Sequence, residues 1–151
     1  MRLNWYKAVP NIYKAMLELQ KASEETKLDK KLLELIKIRA SQINGCAHCL
    51  EMHTKDAAAL GENELRIHLL SAWREAPVYS EREKAALALC ESLTLISHAG
   101  VPDSVYDEAA GIFSSKELVE LTLAIIAING WNRLAVGFKS EVGNYVSTYN
   151  K

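Results

Sequence analysis

The sequence predicts an all-α fold. Apolar residues recur at helical spacing through most of the 151 residues, and no stretch alternates with the period of two that a half-buried strand needs. Capping signals stand where the apolar periodicity begins and ends. With 49% hydrophobic and 25% charged residues, the chain is expected to form one domain, 1–151, that buries its own core. Its formal net charge is −1 with both signs interspersed, which offers no electrostatic footprint for nucleic acid or an anionic membrane.

About seven helices are expected. The first runs from Pro10 to about Ser23, with Ile12, Met16 and Leu19 on one stripe. The second, Lys30 to Ile43, carries Leu32, Leu33, Leu35, Ile36, Ile38 and Ile43 around most of its circumference. Such a helix is buried on several sides, by its own fold or by a neighbouring subunit. A third starts near Gly45-Cys46 and stops at Gly61, where glycine supplies a C-terminal cap. The fourth covers about Glu62 to Arg74 and is closed by Pro77.

Ser80 and Glu83 have capping-box spacing and open a fifth helix through Leu87, Cys90, Leu93 and Leu95. Gly100-Val101-Pro102-Asp103 breaks it, and Pro102 begins a short sixth. Ser114 and Glu117 form a second box ahead of a long apolar helix from Leu118 to about Asn132. Lys31, Leu33, Ile43, Asn44 and Gly45 recur at a constant offset as Lys116, Leu118, Ile128, Asn129 and Gly130. Both segments read as apolar helices ending in Ile-Asn-Gly, a weak echo of one helix unit.

The most apolar run, Leu121 to Ile128, is far shorter than the ~20 residues that span a bilayer. The N-terminal MRLNWYKAVPNIYKAM lacks the apolar centre of a secretory signal. A cytoplasmic protein without membrane or nucleic-acid partners is therefore expected. In a reducing compartment a close cysteine pair is catalytic or metal-binding more often than structural.

That pair lies in Ile43-Asn44-Gly45-Cys46-Ala47-His48-Cys49-Leu50-Glu51-Met52-His53. A c-type haem site needs histidine directly after the second cysteine, and Leu50 stands there instead. A closed zinc site needs about four ligands; Cys46, Cys49 and His53 or His48 offer three, which leaves only an open three-ligand site. Dithiol chemistry fits the spacing better. Residues i and i+3 share a helix face, and a helix N-terminus stabilises the reacting thiolate.

His53 lies one turn beyond Cys49 and can take its proton directly or through a water. His48 points about 200° around the helix from Cys46, where it can equally be a solvated surface residue. Cys90 sits between Leu87 and Leu93 and reads as a small buried thiol. Trp131-Asn132-Arg133 reads as helix termination and packing, with an interface or site-flanking role as the alternative. Trp5, Tyr6 and Tyr13 read as packing anchors.

Glu34, Cys46, His48, Cys49 and His53 together resemble the signature of the AhpD-like alkylhydroperoxidases. There a glutamate twelve residues before a Cys-x-His-Cys pair, and a histidine four after it, form the active site. ELIKIRASQINGCAHCLEMHTKDAAALGE, YSEREKAALALCESLT and ELVELTLAIIAINGWNR extend the likeness over most of the chain. The wider superfamily includes carboxymuconolactone decarboxylases, which generally lack the cysteine pair.

The resemblance implies an AhpD-like helical bundle that assembles as a homotrimer or homohexamer. It also implies a cofactor-free, metal-free peroxidase for organic hydroperoxides, re-reduced by an external dithiol or partner protein. By the same likeness Cys49 attacks the peroxide and Cys46 resolves it. His53 and Glu34 relay the proton, and His48 assists. From periodicity alone Glu34 shares a strip with Lys37 and Ser41 that can equally be a solvated face. A lyase on the same fold and a non-catalytic thiol sensor stand as the alternative functions.

Overall fold

The computed structural model describes residues 1–150 and is all-helical. Nine α-helices are present among the described residues: α1 (Trp5–Ala8), α2 (Pro10–Glu24), α3 (Lys30–Asn44), α4 (Ala47–Ala59), α5 (Glu64–Leu69), α6 (Glu81–Thr94), α7 (Ile96–Ala99), α8 (Asp103–Ile112) and α9 (Ser115–Phe138). The two beyond the expected seven, α1 and α7, are single turns of 4 residues, too short to leave a periodic apolar pattern. The expected fourth helix is shorter than its pattern, since α5 tightens into a 3₁₀ turn over Leu70–Ala72. The capping boxes at Ser80/Glu83 and Ser114/Glu117 both form, each reciprocally bonded.

Helix α3 is the axis of the bundle, packed by α4, α6 and α9, with α2 laid on α9 and α8 on α6. Its own fold buries it: Leu35, Ile36 and Ile38 are fully enclosed, together with Leu70, Leu87, Leu121 and Ile125. Each such side chain removed from water contributes roughly 1.5–3 kcal/mol. The α2 stripe is only partly covered, and Ile12 remains 49% exposed.

Helix α9 departs from its expected end. It continues through Ile128-Asn129-Gly130 to Phe138, so the second Ile-Asn-Gly terminates nothing. Gly130 serves close packing instead: a Cβ built there would lie 2.9 Å from Cε of Met16 on α2. The two asparagines of the echo meet, as Asn44 Nδ2 donates to Asn129 Oδ1 and to Asn132 Oδ1, both at 2.9 Å. Asn132 in turn donates to Ser41 Oγ (3.0 Å) and Asn129 to Thr94 Oγ1 (3.0 Å), a buried network that pins α9 to α3 and α6. Helix α9 is long and apolar enough to cross a membrane on length and composition alone, yet it is packed into the bundle by these contacts.

The joint between α3 and α4 is Gly45, left-handed at φ 64°. Its N–H donates to Gln42 O (3.3 Å), and the Cys46 N–H donates to Ser41 O (3.0 Å), closing the end of α3. A side chain would meet no steric obstacle there, so the penalty for one is conformational alone. Gly45→Ala should lower stability by about 1 kcal/mol. Urea unfolding checks this as a lower midpoint with an unchanged slope.

Candidate active site

Because Gly45 turns the chain, Cys46 falls in extended backbone (φ −90°, ψ 92°) and becomes the N-cap of α4 rather than part of its first turn. Its Sγ accepts the Cys49 N–H at 3.3 Å, the place where a serine or aspartate oxygen usually sits. Cys46 and Cys49 are joined as a disulfide with Cα atoms 5.4 Å apart. Of the two, Cys49 lines a cavity of about 900 Å³, and Cys46 does not.

Helices α3 and α4 run back from the joint side by side, which brings Glu34 against His53. Nδ1–H of His53 donates to Glu34 Oε2 at 2.8 Å. The other oxygen, Oε1, accepts from Lys37 Nζ at 2.9 Å, and Lys37 also reaches Glu24 at 3.5 Å. The strip Glu34, Lys37 and Ser41 is therefore no solvated face: all three are buried, Glu34 to 2% exposure. Burial alone would push the Glu34 carboxyl up. The hydrogen bond and charge of His53, with Lys37 beside it, outweigh burial and hold it below the usual carboxylate range. Burial likewise opposes the Lys37 charge, and Glu34 with Glu24 reverses that and raises it. With Nδ1 donating to an ionised carboxylate, Nε2 is the His53 nitrogen left to take a proton.

His48 lines the same cavity, but its Nδ1 donates to the backbone carbonyl of Glu141 at 2.6 Å. That bond belongs to a clasp. Residues 140–149 run without helix along α4 until the final turn. Glu51 accepts from the N–H of Gly143 (2.6 Å) and of Tyr145 (3.3 Å), and Lys55 donates to Tyr145 O (2.8 Å). Tyr145 O–H donates to the Asp56 carboxylate, 2.9 Å from either oxygen. Burial and the Asp56 charge push the Tyr145 phenol up. Burial and the charge of Glu34 do the same to Tyr149.

The structure thus brings Glu34, His48, Cys49 and His53 to one cavity with Cys46 bonded to Cys49, and adds Lys37, Asp56, Tyr145 and Tyr149, which sequence reasoning missed. Lys37 and Asp56 had a local signal, each standing three residues after a site residue on the same helix face. The tyrosines had none. Trp5, Tyr6, Tyr13 and Trp131, read above as packing residues, pack on one another and also line the cavity. Cys90 is fully buried near the Ile36 carbonyl, and burial pushes its thiol up to about 12.

Glu34, His53 and Asp56 each offer a donor atom within 4.8 Å of the others, the arrangement a cation could use. The two carboxylates already have protein partners, Lys37 and His53 on Glu34 and Tyr145 on Asp56, and His53 Nδ1 is engaged by Glu34. The cysteines, tied to each other, are not thiolate ligands here.

The reduced protein should release two equivalents of thionitrobenzoate per chain from Ellman's reagent near neutral pH. Cys49 reacts from the cavity, Cys46 displaces the adduct, and Cys90 responds only after unfolding. A third fast equivalent would contradict the buried placement of Cys90. Glu34→Gln should destabilise the fold by about 3 kcal/mol at neutral pH, since it leaves buried Lys37 only the longer contact to the more exposed Glu24. The Glu34 contribution exists above the unfolded carboxyl value of about 4.3 and is lost as pH falls through the lower folded one. Urea unfolding across acid pH should accordingly show a shallower loss in Glu34→Gln than in the wild type.

Comparison with known proteins places this geometry. The model of the carboxymuconolactone decarboxylase family matches residues 10–92, more than half of the chain and all five signature residues. The uncharacterized protein YdfG of Bacillus subtilis (strain 168) is 43% identical over 143 residues, covering 95% of this chain and 97% of that one. A crystal structure from Agrobacterium tumefaciens superposes with a TM-score of 0.92 at 43% identity, covering 95% of this chain and 99% of its own. That protein is of unknown function, and a role in antioxidant defence as AhpD has been suggested for it. The debrominase Bmp8 superposes with a TM-score of 0.80 at 23% identity over 89% of this chain and 73% of its own, a likeness of fold alone. The chain belongs to the carboxymuconolactone decarboxylase family and carries the AhpD-like cysteine signature within it.

Proposed function

We propose that the protein is a thiol-dependent peroxidase that reduces organic hydroperoxides through Cys46 and Cys49. One observation carries the reading: the two cysteines form a disulfide at the N-terminus of α4, and Cys49 shares a cavity with the His53–Glu34 pair.

In the reduced enzyme His53 Nε2 takes the Cys49 proton, and the imidazolium is held by the Glu34 carboxylate. The Cys49 thiolate attacks one peroxide oxygen and the O–O bond breaks. The alkoxide leaves as alcohol with the proton from His53, and Cys49 remains as sulfenic acid. Cys46, whose sulfur receives the Cys49 N–H, then attacks the Cys49 sulfur and expels water. The disulfide so formed is returned to two thiols by an external dithiol, small molecule or protein, which is oxidised in turn.

A lyase reading on the same fold would use His53 and Glu34 for proton transfer and leave the paired cysteines without a task. The trimeric or hexameric assembly suits an exposed apolar strip on α9, where Val119 and Ile126 lie two turns apart on one face. A reducing compartment, the cytoplasm, suits a thiol cycle.

Cys49→Ser should reduce consumption of cumene hydroperoxide with dithiothreitol to background. Cys46→Ser should leave the first step intact and accumulate a sulfenic acid on Cys49, seen as one added oxygen or its dimedone adduct by mass spectrometry. Wild-type turnover by Cys49→Ser would sink the assignment.

A further inference from the structure

We propose that Asp56 is a positioning residue for proton transfer at His53: it supplies the buried negative charge that holds on the imidazole the proton taken from Cys49. The inference rests on the peroxidase reading for the source of that proton, and on the geometry alone for the charge.

The first observation is a balance. Among the described residues the buried charged ones are Glu34 at 2% exposure, Asp56 at 7% and Lys37 at 8%. They gather around one imidazole. Glu34 accepts from His53 Nδ1 at 2.8 Å, Lys37 donates to the same carboxylate at 2.9 Å, and Asp56 brings an oxygen within 4.8 Å of a His53 ring nitrogen. Two carboxylates thus stand against one ammonium. This buried set becomes neutral only when His53 carries a proton. The second observation is what Asp56 lacks. Its carboxylate accepts the Tyr145 O–H, 2.9 Å from either oxygen, and Lys55 beside it in sequence turns away to Glu51 and the Tyr145 carbonyl. A hydroxyl satisfies the hydrogen bond and cancels no charge. His53 is the group within 4.8 Å that can become its cation.

The third observation is placement along α4. Asp56 stands one turn beyond His53 and two turns beyond Cys49, about 4.5 and 10.5 Å along the axis. Its charge therefore favours the proton on His53 more than it opposes the thiolate at Cys49. The other charged groups that line the cavity do not replace it. Glu51 pairs with Lys55, and Glu24 reaches Lys37 at 3.5 Å from an exposed position. Glu141 and the Met1 amino terminus are exposed, and solvent screens them. His48 is tied to the Glu141 carbonyl, and burial pushes the Tyr145 and Tyr149 phenols up, so both stay neutral near pH 7. Helix α9 lines the cavity with no ionisable side chain.

The test separates charge from structure. The His53 ring signal, assigned by its loss in His53→Gln, is followed by NMR against pH on the full oxidised chain in EDTA, so that neither thiol nor metal contributes. Asp56→Asn keeps the shape and can still accept the Tyr145 hydroxyl; it should move that titration to lower pH by about one unit. Asp56→Ser gives the same comparison if the amide variant does not fold. Tyr145→Phe removes the hydroxyl and leaves the charge, and should not move the titration to lower pH. In the reduced enzyme, the pH profile of kcat/KM for cumene hydroperoxide should shift to lower pH in Asp56→Asn and fall several-fold at its maximum. Asp56→Glu should restore part of both. An unmoved His53 titration in Asp56→Asn, a kcat/KM that falls with its pH profile in place, or the same downward shift in Tyr145→Phe would overturn the proposal, leaving Asp56 only the task of holding the C-terminal segment. A lowered His53 titration in Asp56→Asn, in a protein whose wild type turns over no peroxide, would remove the peroxidase reading and leave the charge at His53 standing.

Discussion

The buried carboxylate of Glu34 is the constraint on which the site depends. A charge at that depth is tolerated only when it is paired on every side, and Lys37 and His53 supply the pairing from two different helices. Lys37 stands one turn along α3, so its contact is built into the helix. His53 stands on α4, so its contact requires the Gly45 joint and the side-by-side course of the two helices. The ion cluster therefore ties Glu34 and His53 to the cysteine-bearing helix. Orientation of the imidazole is settled by an interaction that the folded state needs in any case.

Much of this was legible in the sequence, for identifiable reasons. The capping boxes at Ser80 and Ser114, the all-round apolarity of α3 and the glycine stop at Gly61 are local signals, and the structure realises them locally. Proximity of His53 to Cys49 followed from helical spacing. What escaped depended on tertiary contact. Glu34 and Lys37 look like a solvated strip until α2 and α4 cover them, because two opposite charges three residues apart are equally at home on a surface. Ile128-Asn129-Gly130 resembled a helix end because the same tripeptide ends α3. In α9 the glycine admits Met16, and the asparagine bonds across to Asn44. Tyr145 and Tyr149 carry no periodic signal at all, since their partners lie far away in sequence.

The C-terminal segment gives α4 a second duty. His48, Glu51, Lys55 and Asp56 hold the strand of chain that brings two phenols to the cavity, so that helix presents its thiols from one end and a clasp along its flank. His48 is thus engaged with a backbone carbonyl, while His53 holds the carboxylate. The two histidines flanking Cys49 are not interchangeable.

The sulfur at the head of α4 has a consequence for the electron balance of the pair. Backbone N–H groups at a helix start favour negative charge, so they stabilise a free Cys46 thiolate more than the neutral disulfide sulfur it becomes on oxidation. Whatever favours the reduced form raises the reduction potential of the couple, by about 30 mV for each 1.4 kcal/mol in a two-electron exchange. By linkage the strength of the cap and the ease of reduction rise together. A residue placed to begin a helix therefore also biases the pair toward its dithiol form.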